Sequence, residues 1–353
     1  MFETLGFENL TAPQVTVFFA LAIGVVFGFF AERTQFCFRR AIVGEDRRAA
    51  AGVWLTALAV AVLGTQGAVL AGLISFDDHR FMASDLPVLA ILTGGALFGA
   101  GMVLTRGCAS RLTVLSGTGN LRALLVMVVF ALVAHAAMKG VLAPLRGALG
   151  GFTVSLDQGA LPGSALIWTA LIVMAALVFA LRSGNRPARL LGAAVIGALV
   201  PLAWVGTGFV LYDDFDPVAF ESLAFTAPAA DTLFFTAAST AVTANFGVGL
   251  IGGVLAGSLV ASLLFRSFRW QSFESPAQTG RYLAGAALMG FGGVLAGGCT
   301  VGAGLSGLPT LSISAILAVA AIAGGALATK RLLNASATGS AAPSTTQALQ
   351  PAE

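Results

Sequence analysis

The sequence predicts an all-α polytopic membrane protein with about nine spanning helices, and three observations predict it. Hydrophobic residues fill 57% of 353 positions and charged residues only 10%, against about 25% charged in soluble domains. Apolar runs long enough to cross a bilayer, which takes roughly 20 residues, recur along the whole chain. The basic residues crowd into every second connection between those runs.

The expected spans follow in order. The first, 15–32, comes after the acidic leader "MFETLGFENLTAPQ", which has no basic n-region and leads to no small-residue cleavage site. Spans 50–74, 86–105 and 121–142 complete one group, the last of them carrying His135 as a packed or hydrogen-bonded histidine. Span 164–182 stands apart as a connector. Spans 189–211, 247–265, 281–297 and 311–330 form a second group. Residues 1–333 are thus expected as a single transmembrane domain. The segment 334–353, rich in Ala, Ser, Thr and Pro, is expected to be a disordered tail.

Charge placement orients the chain. Of 19 Lys and Arg residues, only Arg80, Lys139 and Arg146 fall in the even-numbered connections. The rest lie in odd-numbered connections or after the last span, which puts the N-terminus outside and the C-terminus in the cytoplasm. The net charge of +3 therefore reports topology, and nucleic acid is not an expected partner.

Three segments align on the chain's three cysteines: "FGFFAERTQFCFRR" (27–40), "FGAGMVLTRGCASR" (98–111) and "MGFGGVLAGGCTVG" (289–302). Each has a bulky residue and then Gly at ten and nine positions before the cysteine. A weaker fourth copy, "IGALVPLAWVGTGF" (196–209), has Gly206 in the cysteine's place. The copies end spans 1, 3, 6 and 8, which cross in opposite senses in the two groups. This predicts two inverted four-helix halves, about 15–142 and 189–330, an arrangement in which substrate binds near the midplane. Straight helices would leave Cys37 and Cys108 at one face and Cys299 at the other. The glycines and proline of "LAGGCTVGAGLSGLP" (295–309) offer a re-entrant course instead, so that short helices and loops from both faces meet.

The thiols admit several readings. A lone membrane cysteine is commonly an inert packing residue, but all three occupy one frame. An odd number on separate loops disfavours a structural disulfide without excluding one pair. No His or acidic partner accompanies them, so no metal site and no cofactor is expected. A thiol suits a soft, polarisable ligand, and helix N-termini add N–H groups for an anion. Arg33, Arg106 and Arg111 are read either as loop charges or as attractors for that anion. Thr300, beside Cys299, and Asn245, at the entry to span 7, are candidate polar contacts. The glycines of "GALFGAGM" and "GVGLIGG" are expected at helix contacts. The acids Asp213, Asp214, Asp216, Glu221 and Asp231 are expected to be solvent-exposed. The chain lacks a phosphate loop, and no Ser/His/Asp set or carboxylate pair lies within the spans.

These residues resemble the YeeE/YedE sulfur-transport membrane proteins, through "ERTQFCF", "GMVLTRGCASR", "TANFGVGLIGGVLAGS" and "LAGGCTVGAGLSGLPTLS", across most of 15–330. The resemblance implies an hourglass entered by loops of two inverted halves. It also implies thiosulfate contacted at Cys37, Cys108 and Cys299, an inner-membrane location, and a cytosolic small sulfurtransferase receiving the cargo. One departure is Thr105-Arg106-Gly107-Cys108, with Arg111 following, where family members often read Ala-Gly-Gly-Cys. The leading expectation is a permease, not an enzyme, for thiosulfate or a related inorganic sulfur anion. The alternatives are a sulfur-relay or redox enzyme working through persulfides or disulfides, and a structural membrane partner with inert cysteines.

Overall fold

The computed structural model describes residues 10–339 and is helical almost throughout. The first half holds α1 (Ala12–Thr34), α2 (Phe38–Val43), α3 (Arg47–Leu70), α4 (Val88–Leu104), α5 (Ala109–Gly117), α6 (Leu121–Lys139) and the short α7 (Ala143–Gly150). Then come α8 (Ala165–Leu181), α9 (Pro187–Val205) with a π turn at Gly206–Val210, α10 (Thr226–Ala238), α11 (Phe246–Leu264) and α12 (Pro276–Leu295). A π-helical segment, Thr300–Gly307, and a 3-10 turn, Leu308–Thr310, lead into α13 (Ile313–Gly339). The two strands, β1 (Asp85–Leu86) and β2 (Val154–Ser155), pair antiparallel outside the bundle.

Among the described residues, eight helices or broken helices are long and apolar enough to cross a membrane. The ninth expected span is α8, a shorter apolar helix of 17 residues, at the lower edge of spanning length. α13 runs on through 334–339, and the remainder of the expected tail lies outside the described residues. Local sequence sets the starts. Asn120, Asn245 and Ser275 accept hydrogen bonds from the N–H groups of Ala123, Val248 and Gln278 at the heads of α6, α11 and α12. Proline occupies the first turn of α9 and α12, where its missing N–H costs nothing.

Helix pairing repeats between the halves. α1 packs on α11 as α9 packs on α3, and α4 packs on α13 as α12 packs on α6. The glycine nine positions before each aligned site makes the same contact in all four copies. A methyl on Gly28, Gly197, Gly99 or Gly290 would run into the backbone oxygen of Val254, Ala57, Ile322 or Phe130 on those partner helices. The bulky residues before them, Phe27, Ile196, Phe98 and Met289, are all fully buried. The expected packing role holds for Gly249 and Gly253, which lie against Val17 and Leu21 of α1, but not for Gly252, which faces open space.

The connections sort by parity. Leu161 and Ile313 bridge the fourth and eighth connections, and Ser312 donates to the Phe81 carbonyl of the second. At the other end, Asn120 donates to Gln271 across the third and seventh, and Asn185 donates to the Ala49 carbonyl. α8 packs on α3 and leaves Leu166, Ile167, Leu171 and Met174 exposed, a surface suited to lipid rather than water.

Candidate functional site

The three cysteines occupy one structural position. Two residues before each of them the chain turns left-handed, at Gln35 (φ 54°), Arg106 (φ 60°) and Gly297 (φ 73°). Glycine adopts this conformation freely, whereas Gln35 and Arg106 hold it at a cost of roughly 1–2 kcal/mol each. That turn ends α1, α4 and α12 and throws the chain into an extended residue, the cysteine. Cys37, Cys108 and Cys299 then sit at the N-cap of α2, α5 and the 300–307 segment.

Each sulfur is approached by the N–H three residues on: Arg40, Arg111 and Gly302. For Cys299 this is a hydrogen bond of 3.4 Å, and for the other two the geometry is looser. Every thiol is thus held at the positive end of a helical segment.

The loops bring the cysteines together from opposite ends of the bundle. The Cys37 and Cys108 thiols lie close enough to influence one another, and Cys299 lies within electrostatic reach of Cys108. Cys108 Sγ is 3.4 Å from the Ser110 hydroxyl. The Thr300 hydroxyl lies against Cys108, yet it makes no well-formed hydrogen bond and is shut off from solvent. All three thiols are free and buried. Phenylalanines wall the cluster: Phe27 contacts Phe36 at 6.1 Å and Phe225 at 5.4 Å between ring centroids. Phe38 packs on Trp54 at 4.9 Å, and the Trp54 indole N–H is buried without a partner. The described residues contain no His/Cys/Asp/Glu group able to hold a metal.

The expected polar residues divide. Thr300 and Arg111 belong to the cluster. The Arg111 guanidinium donates to Glu32 at 3.2 Å and to the Ala31 carbonyl at 3.3 Å, and its charge reaches Cys37. Arg33 is exposed, with its guanidinium 3.6 Å from the centre of the Phe265 ring. Arg106 is exposed at its left-handed turn. Asn245 is away from the thiols, capping α11 and donating to Asp231 at 3.2 Å. His135 stacks on Phe234 at 4.8 Å.

The fourth copy breaks differently. Gly206 keeps a helical φ of −59°, and the chain continues through a π turn. A strap, residues 220–225, takes the place of a cysteine loop. Ser222 donates to the Val200 carbonyl at 3.0 Å, Ser306 donates to the Leu223 carbonyl at 2.7 Å, and the Phe225 N–H is directed at Cys299. Glu32, Ser110 and this strap had no sequence signal of their own.

The expectation that the acids are solvated fails for Glu221, which is half-buried on the strap. Burial and the neighbouring Asp231 raise its pKa to about 7, against the opposing pull of Arg80. Arg80, open to solvent but ringed by protein, has its own pKa lowered by desolvation. His79, accepting from the Phe81 N–H at 3.2 Å, is depressed to about 4 by burial and by Arg80, and stays neutral.

Fold and site together define a multi-pass helical membrane protein whose broken helices deliver thiols to a common interior point. A model of the family described as Sulphur transport matches this chain twice, over residues 33–190 and 179–328, and the chain belongs to that family. The chain is similar to the "Thiosulfate transporter TsuA" of Escherichia coli (strain K12), 26% identical over 317 residues, 81% of this chain and 85% of the relative. It is similar also to the "Thiosulfate transporter TsuA" of Spirochaeta thermophila, 27% identical over 317 residues, 84% of this chain and 93% of the relative.

Proposed function

We propose that this protein is a permease that carries thiosulfate, or a closely related inorganic sulfur anion, across the bacterial inner membrane along a pathway formed by Cys37, Cys108 and Cys299. The observation that carries the reading is the meeting of Cys108 with Thr300, on loops that enter from opposite ends. The names of the two relatives support thiosulfate as cargo.

One charge at the bilayer centre costs at least about 2.5–3.5 kcal/mol on insertion scales, and a dianion costs more. Weak S–H donors facing a soft terminal sulfur, helix N-termini facing its oxygens, and the unpartnered Thr300 hydroxyl offset part of that cost. Arg111 adds positive potential beside Cys37 without remaining a bare charge, because Glu32 balances it. Arg33 and Arg106 act from the surface, drawing the anion without contacting it in the cluster. Asn245 shapes the strap region through Asp231. The two halves run inverted, N-terminus outside, and the basic connections face a cytosolic small sulfurtransferase that receives the cargo.

Uptake of radiolabelled thiosulfate into proteoliposomes, competed with sulfate, sulfite and selenium oxyanions, tests the cargo. Competition by unlabelled thiosulfate and by selenosulfate, which bear a terminal sulfur or selenium, and none by sulfate, sulfite or selenate, is expected. Equal competition by sulfate would remove the role given to the thiols.

A further inference from the structure

The strap holds a carboxyl group that the cysteine pathway leaves unused. At its outer end Glu221 is anchored twice to Thr207: the Glu221 N–H donates to Thr207 Oγ1 at 3.2 Å, and the Thr207 hydroxyl donates to the Glu221 carbonyl at 2.8 Å. At its inner end the Phe225 N–H meets the Cys299 thiol. Four residues of extended chain separate the two ends, a span of at most about 14 Å.

Arg80 connects the two ends from another element, interacting electrostatically with both Glu221 and Cys299. With Asp85 it lines a cavity of about 190 Å³ whose wall also includes Gly297 and Ala303, on either side of Cys299 in sequence. The remaining charged or titratable groups facing Glu221 are Asp231 from α10 and neutral His79, whose ring lies 5.8 Å from that of Phe220. Arg80 is thus the cation facing Glu221 in this set. It also lies on the wall that an anion bound for Cys299 would pass.

We propose that Glu221 is the proton-coupling group of the transport cycle: an arriving anion takes Arg80 as its counter-charge, and the carboxylate that loses Arg80 takes up a proton that moves with the anion. This rests on the transport reading given above. The carboxyl already titrates near neutrality, so losing Arg80's attraction shifts its protonation at working pH. By linkage, anion binding and protonation then strengthen one another. A dianion moving toward the negative side of a membrane is opposed by both charges, and one accompanying proton removes half of that opposition.

Proteoliposomes containing a trapped pH dye test the coupling. For the wild type, adding thiosulfate outside is expected to acidify the lumen in step with uptake, and an acid-outside gradient is expected to raise the initial rate several-fold. Glu221→Gln is expected to keep thiosulfate counterflow between loaded vesicles while losing the acidification and the gradient response. Glu221→Asp should retain both. Thiosulfate uptake by the wild type without proton movement overturns the coupling and leaves the transport reading standing, and this arm holds even if Glu221→Gln does not fold. Glu221→Gln behaving like the wild type also overturns it. No thiosulfate uptake by the wild type at all overturns both.

Discussion

The hydroxyl of Thr300 lies against Cys108, although the two residues sit on loops leaving opposite ends of the helix bundle. It is buried and makes no well-formed hydrogen bond. A buried hydroxyl left in that state costs about 1–3 kcal/mol. Replacing it with a nearly isosteric apolar group should therefore stabilise the fold and harm function together. Thr300→Val is expected to raise the unfolding free energy by about 1 kcal/mol. Thiosulfate KM should rise roughly tenfold or more, since a hydrogen bond to a charged ligand contributes about 1.5–3 kcal/mol. Thermal unfolding in detergent and uptake kinetics read the two effects, and Thr300→Ser should restore the KM.

The left-handed turns before the cysteines predict a contrasting pair. Gly297→Ala places a side chain at φ 73°, where a methyl would meet nothing within 4 Å, so its cost is conformational alone, about 1 kcal/mol. Arg106→Gly relieves the same strain at φ 60° and should stabilise by a similar amount, about 1 kcal/mol. The same change removes a surface charge, so uptake at low thiosulfate should slow more at low ionic strength than at high. Unfolding midpoints and the salt dependence of uptake check both halves of the pair.

Arg111 and Glu32 form an ion pair with side-chain exposures of 15% and 17%. Removing one member leaves the other charge poorly solvated, so Arg111→Gln should cost about 2–3 kcal/mol of stability. The double variant Glu32→Gln, Arg111→Gln should lose less than the sum of the singles. A double-mutant cycle by thermal unfolding measures that coupling.

The raised pKa of Glu221 makes stability depend on pH. Its value in the folded protein is about 7, above the ordinary carboxyl value of 4.5. The folded state therefore favours the protonated form. Stability from this group is fully present below pH 4.5 and is lost as pH rises through about 7, by up to about 3 kcal/mol. Between pH 5 and 8 the unfolding midpoint of the wild type should fall relative to that of Glu221→Gln. His79, depressed to about 4 from 6.5, opposes this with a gain in stability between about pH 4 and 6.5 that both proteins share, so the difference between them isolates Glu221.

Much of the fold was legible because a spanning helix must be long and apolar, and because basic loops alternate. The aligned repeat read correctly even in its weak fourth copy, where Gly197 makes the helix contact made by Gly28, Gly99 and Gly290. The missing cysteine at Gly206 still mattered: without a break there, α9 continues and residues 220–225 take the loop's place at Cys299. That substitution was hidden because it depends on contacts between distant segments. For the same reason Glu32 gave no signal as the partner of Arg111, and Glu221 read as one acid among several in a loop. Arg33 and Asn245 read as pathway residues from proximity in sequence, yet one lies over Phe265 and the other caps α11.

The central claim is that the three thiols form the route. The most direct measurement is radiolabelled thiosulfate uptake by wild type, Cys37→Ala, Cys108→Ala and Cys299→Ala, reconstituted at equal amounts, with mass spectrometry of the wild-type thiols during turnover. Uptake should collapse in Cys108→Ala and Cys299→Ala while the wild-type thiols remain unmodified. Undiminished uptake in all three variants, or persulfides accumulating on the way to product, would contradict the account.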